Sequence, residues 1–147
     1  MPLERGKIQV LIVGDNAGMR DGIRALIEGQ PDMFVAGEAV SCEEAIQKFK
    51  TLLPDVVVAD VNHPVVWESK TNMRLLSQFP QARVIVISAL EGHEWIRKAL
   101  AIGVRAILYQ DLLRSELPSA LRRVHAGQQY IPKAIAARLA KGSPYPK

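Results

Sequence analysis

Five short apolar runs punctuate the chain. Ile8–Val13, 56–59 and 84–87 are rich in β-branched residues and almost uninterrupted, the pattern of parallel strands buried on both faces. Weaker runs at 33–38 and Ala106–Tyr109 bring the predicted strands to five. Between them apolar residues recur at helical spacing: Ile23, Leu26 and Ile27 within 19–28, Ala45, Ile46, Phe49 and Leu52 within 42–53, and Met73, Leu75, Leu76 and Phe79 within 67–79. Pro80 stops the third of these, and segments 94–102 and 115–126 complete five helices. Gly29, Gly103 and Gly127 stand where left-handed residues would close helices, and Ser41 precedes Glu44 by the three positions of a capping box. Strands alternating with helices predict an α/β fold, a doubly wound five-stranded parallel sheet flanked by five helices. In such sheets ligand-handling groups gather beyond the carboxyl ends of the strands.

Residues 7–128 read as one domain, and 129–147 as a short C-terminal helix over 130–140 followed by a tail or linker. A chain of 147 residues at 48% hydrophobic and 23% charged is long enough for one sizeable core. Cys42 is the single cysteine, which excludes an internal disulfide and a cysteine-based zinc site. With no apolar run of roughly 18 residues and no signal-peptide pattern at the N-terminus, a cytoplasmic location without membrane contact is expected. The formal charge of +4 hides a gradient: residues 1–96 hold 9 Lys/Arg against 13 Asp/Glu, and residues 97–147 hold 10 against 2. A basic last third suits nucleic acid or an acidic partner, or is a solvated face of amphipathic helices.

Chemistry concentrates at the predicted strand ends. Asp15 follows the first strand, Asp60 ends the third, Ser88 the fourth, and Gln110 follows the fifth. Two carboxylates brought together are costly without a cation, and oxygen ligands of this kind suit Mg²⁺. Each Asp read alone is equally a strand terminator that caps the next turn.

The order of these residues resembles the receiver domain of bacterial response regulators, specifically the NarL/FixJ, LuxR-type group, with its flavodoxin-like, CheY-like fold. The likeness runs from Lys7 to about Leu139. Residues 11–28, LIVGDNAGMRDGIRALIE, are similar to the family's first strand and helix, and 54–60, PDVVVAD, with Pro64, to its phosphoacceptor strand and loop. Residues 79–89, FPQARVIVISA, resemble the fourth strand with its hydroxyl residue, and 126–132, AGQQYIP, the exit from the fifth helix. The resemblance implies that Asp60 accepts a phosphoryl group from a histidine kinase or a small phosphodonor. It implies that Asp15, Asp60 and the backbone carbonyl of Asn62 ligate Mg²⁺, and that Ser88 hydrogen-bonds the phosphoryl oxygen. It further implies a homodimer through the fifth helix and its neighbours, and DNA contact only through an output domain outside this chain.

Three positions depart from the family pattern. Gly14 replaces the first member of the acidic pair, Gln110 stands in place of a lysine, and Ile107 in place of an aromatic switch. Two carboxylates without the ammonium leave the same −2 as the family's three with it. A neutral amide, however, gives up a charge-assisted contact about twice as strong as its own. The expectation is therefore an atypical receiver that binds Mg²⁺ weakly and signals weakly or independently of phosphorylation, with no enzyme activity. The competing class is a small nucleotide- or ligand-binding enzyme on the same sheet. Against it, residues 14–18 fail the G-x-G-x-x-G spacing, and no P-loop is present. His63, His93 and His125 show no ligand spacing and read as surface residues; Trp67 and Trp95 read as packing anchors.

Overall fold

The computed structural model describes residues 6–61, 71–88, 93–131, 133, 136 and 137. Strands β1 (Ile8–Val13), β2 (Met33–Ala39), β3 (Val56–Val61), β4 (Val84–Ser88) and β5 (Ala106–Tyr109) form one sheet in the order β2-β1-β3-β4-β5, every neighbouring pair parallel. Helices α1 (Ala17–Glu28), α2 (Cys42–Leu52), α3 (Thr71–Gln78), α4 (His93–Ala101) and α5 (Leu113–His125) connect or follow them. Parallel pairing needs a long crossover between strands, and helices supply it.

Alternation along each strand feeds two cores. One face carries Leu11, Val13, Val57, Ala59, Val86 and Ile107 against α2, α3 and α4. The other carries Val10, Ile12, Val58, Ile85 and Leu108 against Ile23 and Ile27 of α1 and Leu117, Leu121 and Val124 of α5. The chain therefore winds one way from β1 to β2 and the other way from β3 to β5. The switch lies between β1 and β3, where such sheets open a crevice at their carboxyl ends.

The local signals act as expected at most helix ends. Ser41 caps α2, its Oγ accepting from Glu44 N–H at 3.1 Å while Glu44 Oε1 accepts from Val40 N–H at 2.8 Å. Gly103 and Gly127 adopt positive φ at +112° and +92°. Gly29 does not: its φ is −75°, because the helical turn carries through its N–H to Ala25 and only then unwinds. The left-handed helix end falls instead at Leu53, φ 47°, where α2 reverses ahead of Pro54. Leu53 is 71% exposed, so its side chain buries little. A non-glycine residue in this conformation costs about 1–2 kcal/mol, and Leu53→Gly is expected to gain about 0.5–1 kcal/mol after the added unfolded-state entropy. A rise in the urea midpoint at unchanged slope would show it.

Two further expectations change. Helix α5 begins at Leu113, two residues before the predicted start, after a 3₁₀ turn over Gln110–Leu112. Tyr130 is no helix start but a parallel bridge to Ala106; helical backbone follows at Lys133, Ala136 and Ala137, and the remaining predicted helix lies outside the described residues. Residues 67–70 of the predicted third helix also lie outside them, as do His63 and Trp67, and the side chains of His93 and Trp95 are likewise undescribed.

Candidate functional site at the carboxyl edge

Asp60 stands one residue before the end of β3, paired in register with Ile87, and Asp15 follows β1 across the switch point. Asp15 is exposed, whereas both carboxylate oxygens of Asp60 are buried and neither has a hydrogen-bond partner among the described residues. Burial raises the Asp60 pKa above the ordinary carboxylate value, and the negative charge of Asp15 adds to the rise. The Gln110 carboxamide opposes it, standing near enough to favour the charged form without the geometry of a hydrogen bond. Gln110 is presented by the 3₁₀ turn that follows β5.

Gly14 follows β1 with both backbone groups engaged. Its N–H donates to Ala39 O at 3.0 Å, and its carbonyl accepts from Arg20 Nη1 at 2.6 Å. A β-carbon here would lie 3.0 Å from Asp60 Cβ and 3.6 Å from Oδ2. Glycine thus lets the ends of β1 and β3 approach more closely than an acidic residue would allow without displacement of Asp60.

Ser88 is 2% exposed at the end of β4, between Val61 of β3 and Tyr109 of β5 in register. Register partners in a parallel ladder project to the same face, so Ser88 and Tyr109 lie on the α4 side of the sheet. Asn62 lies outside the described residues. The edge therefore brings together Asp15, Asp60 and Gln110, with Ser88 on β4, the strand between that of Asp60 and that preceding Gln110. Ile107 lies in the core between α4 and β5, without polar chemistry.

Sequence reasoning missed the polar scaffold beneath this edge. Glu38 on β2 accepts from Arg20 Nε at 2.9 Å and Arg24 Nε at 2.7 Å, and Arg20 in turn holds the Gly14 carbonyl. These contacts place Glu38 below the ordinary carboxylate pKa, through Arg24 first and then Arg20. Arg20 and Arg24 stand one helical turn apart on α1, a visible spacing whose acceptor lies too far along the sequence to be inferred.

Two carboxylates form a hard-oxygen donor set, and the oxygens of Asp60, without a partner among the described residues, are polar atoms that a bound cation would satisfy. These residues fit Mg²⁺. Among the described residues, no group of three or more His, Cys, Asp or Glu side chains could hold a metal, and no helix is long and apolar enough to cross a membrane.

Strand order, switch point and acidic edge define a doubly wound α/β module with its chemistry at the β1/β3 crevice. Residues 10–122 match the family model of the response regulator receiver domain. The chain is 32% identical over 140 residues to the response regulator GacA of Pseudomonas viridiflava, covering 95% of this chain and 65% of that protein. Its fold matches a LuxR-family two-component response regulator from Aurantimonas sp. SI85-9A1 at a TM-score of 0.82 and 23% identity, covering 92% and 97% of the two chains. It also matches the isolated receiver domain of RcsB from Salmonella enterica serovar Typhimurium, in the presence of the phosphomimetic BeF₃⁻, at 0.78 and 20% identity, covering 89% and 97%. This chain belongs to the response regulator receiver domain family. It is the receiver domain of a two-component response regulator, and it spans 65% of the GacA relative's length.

Proposed function

We propose that this chain is an atypical receiver in which Asp60 is a weak phosphoacceptor and the signal passes to a downstream module or a second copy. The observation that carries this reading is a buried acceptor carboxylate, without a hydrogen-bond partner among the described residues, flanked by a neutral amide and by a glycine. In the transfer, an Asp60 oxygen attacks phosphorus, the new O–P bond forms, and the donor bond breaks with its electron pair leaving on the donor. For a histidine kinase that bond is P–N, and the imidazole nitrogen keeps the pair. Asp15 and Asp60 would hold Mg²⁺, with the Asn62 backbone carbonyl as the third ligand that the family pattern implies. Bound there, the metal supplies charge neutralisation for the transferred group. Ser88 would donate its hydroxyl to a phosphoryl oxygen. Gln110 donates as well, but without the charge that stabilises the product.

Incubation with Mg²⁺ and a small phosphodonor such as acetyl phosphate, read by intact mass, tests the reading. A substoichiometric phosphoryl adduct that is absent in Asp60→Asn is the expected result. Stoichiometric phosphorylation at ordinary Mg²⁺ removes the atypical reading, and an adduct that persists in Asp60→Asn removes Asp60 as acceptor.

The greater length of the GacA relative supports an output module beyond this chain, through which DNA contact would be made. Homodimerisation is proposed through α1 and α5, which border a groove of about 460 Å³ lined by Met19, Gly22, Leu26, Gln110 and Arg114. Arg122 is a poor probe of that face, since it is already bound to Asp32 at 2.9 and 3.0 Å and to Gln30 at 2.6 Å within the chain. Arg114→Glu, at the groove itself, is expected to shift sedimentation toward the monomer; an unchanged profile would assign the contact to another face.

A further inference from the structure

Strand β5 lies at the edge of the sheet, and the chain returns to it after α5. Gly127 reverses direction at φ +92°. Tyr130 N–H then donates to Arg105 O at 2.9 Å, and its carbonyl accepts from Ile107 N–H at 3.4 Å. The next donor in this register belongs to residue 132, a proline without an N–H, so the ladder cannot continue in that form. The side chain is held separately. Its phenol donates to Glu116 Oε1 at 2.7 Å, and the Arg123 guanidinium lies 5.8 Å from the ring centroid. Glu116 and Arg123 both belong to α5, two turns apart, so Tyr130 joins the edge of the sheet by its backbone and α5 by its ring.

The same short strand reaches the acceptor pocket. Ile107, which donates to Tyr130, is three residues before Gln110, and Gln110 stands beside Asp60. We propose that Tyr130 is a latch that registers the downstream chain on β5 and opens when the pocket is occupied. The opening rests on the functional reading above; the latch itself rests on its own contacts. A phosphoryl group on Asp60 adds acceptor oxygens and negative charge. The Gln110 amide is drawn toward them, the end of β5 follows, and the Ile107 to Tyr130 bond, at 3.4 Å the longer of the two, is the contact with least to lose.

The test is amide hydrogen exchange on the 147-residue chain with and without Mg²⁺ and beryllofluoride. Loading is expected to speed exchange at Tyr130 and Ile107 about fivefold, the loss of one net hydrogen bond, while Val10 and Ile12 in β1 stay unchanged. Tyr130→Phe should show the faster rate without loading. Glu116→Ala should do the same, and Glu116→Gln, which keeps an acceptor for the phenol, should restore protection. If the Ser88 amide resonance responds to beryllofluoride and the two latch amides do not, the coupling is overturned. If Ser88 does not respond, the functional reading fails instead, and the variants decide the latch alone: unchanged exchange in Tyr130→Phe and Glu116→Ala overturns it.

Discussion

Gln110→Lys is expected to raise the steady-state yield of acyl phosphate on Asp60 about tenfold. The lysine ammonium exchanges a neutral contact for a charge-assisted one, a difference of about 1.4 kcal/mol, which is one power of ten in an equilibrium. It also reverses the local electrostatics. Burial and Asp15 now hold the Asp60 pKa above its ordinary value; a cation in place of Gln110 pulls it down and keeps the nucleophile ionised. Intact mass at fixed Mg²⁺ and phosphodonor reads the yield directly. Equal yields in the two proteins would show that Gln110 does not limit phosphorylation. Gly14→Asp alone is expected to do the opposite, because its β-carbon meets Asp60 at 3.0 Å and its charge adds to an already desolvated carboxylate. Made in the Gln110→Lys background, Gly14→Asp should lower the yield by a smaller factor than it does alone, since the new cation answers the new anion.

Glu38→Gln is expected to destabilise the fold by about 1–2 kcal/mol at neutral pH, the range of a hydrogen-bonded charge after solvent screening. Glu38 holds two arginines with one carboxylate, and one of them, Arg20, carries the carbonyl of Gly14. The folded-state pKa of Glu38 is lowered, so the folded protein holds this proton less tightly than the unfolded chain. Its stabilisation is therefore complete above the unfolded carboxylate pKa near 4.3 and is lost as pH falls through the depressed folded value. Urea titrations of both proteins at pH 7 and at the acid edge of folding should show a gap that narrows with acid. A gap that is constant with pH would mean that the loss comes from packing.

The sequence displayed the sheet well and the site in part. The bounds of β1 and β5 coincide with the predicted runs, because turn-forming or polar residues mark both ends of a β-branched or apolar segment. Helix α5 starts two residues before its apolar periodicity predicts, because a 3₁₀ turn carries no periodicity of its own. Leu53 gave no sign of a left-handed end, since glycine is the usual mark and the conformation here is imposed by the approach to Pro54. At the site, strand-end position alone places Asp15, Asp60, Ser88 and Gln110 at the carboxyl edge of the sheet, where the structure has them. The closeness of Gly14 to Asp60 and the arginine fork on Glu38 depend on distances between separate elements, and neither propensity nor spacing encodes those. The place of Tyr130 is hidden for a similar reason: its return to β5 is a long-range pairing, which the local pattern of residues 130–140 does not encode.

The strand order also bears on how the domain is built as the chain leaves the ribosome. β2 joins β1 first, across one helix; β3 then takes the other side of β1, β4 adds outside β3, and β5 outside β4. Every new strand meets an open edge, and none has to be inserted between two already paired. Assembly can keep pace with synthesis, each step closing a single helical crossover. β5 is the last strand to be added, and Tyr130 reaches its outer edge only after α5 has been made.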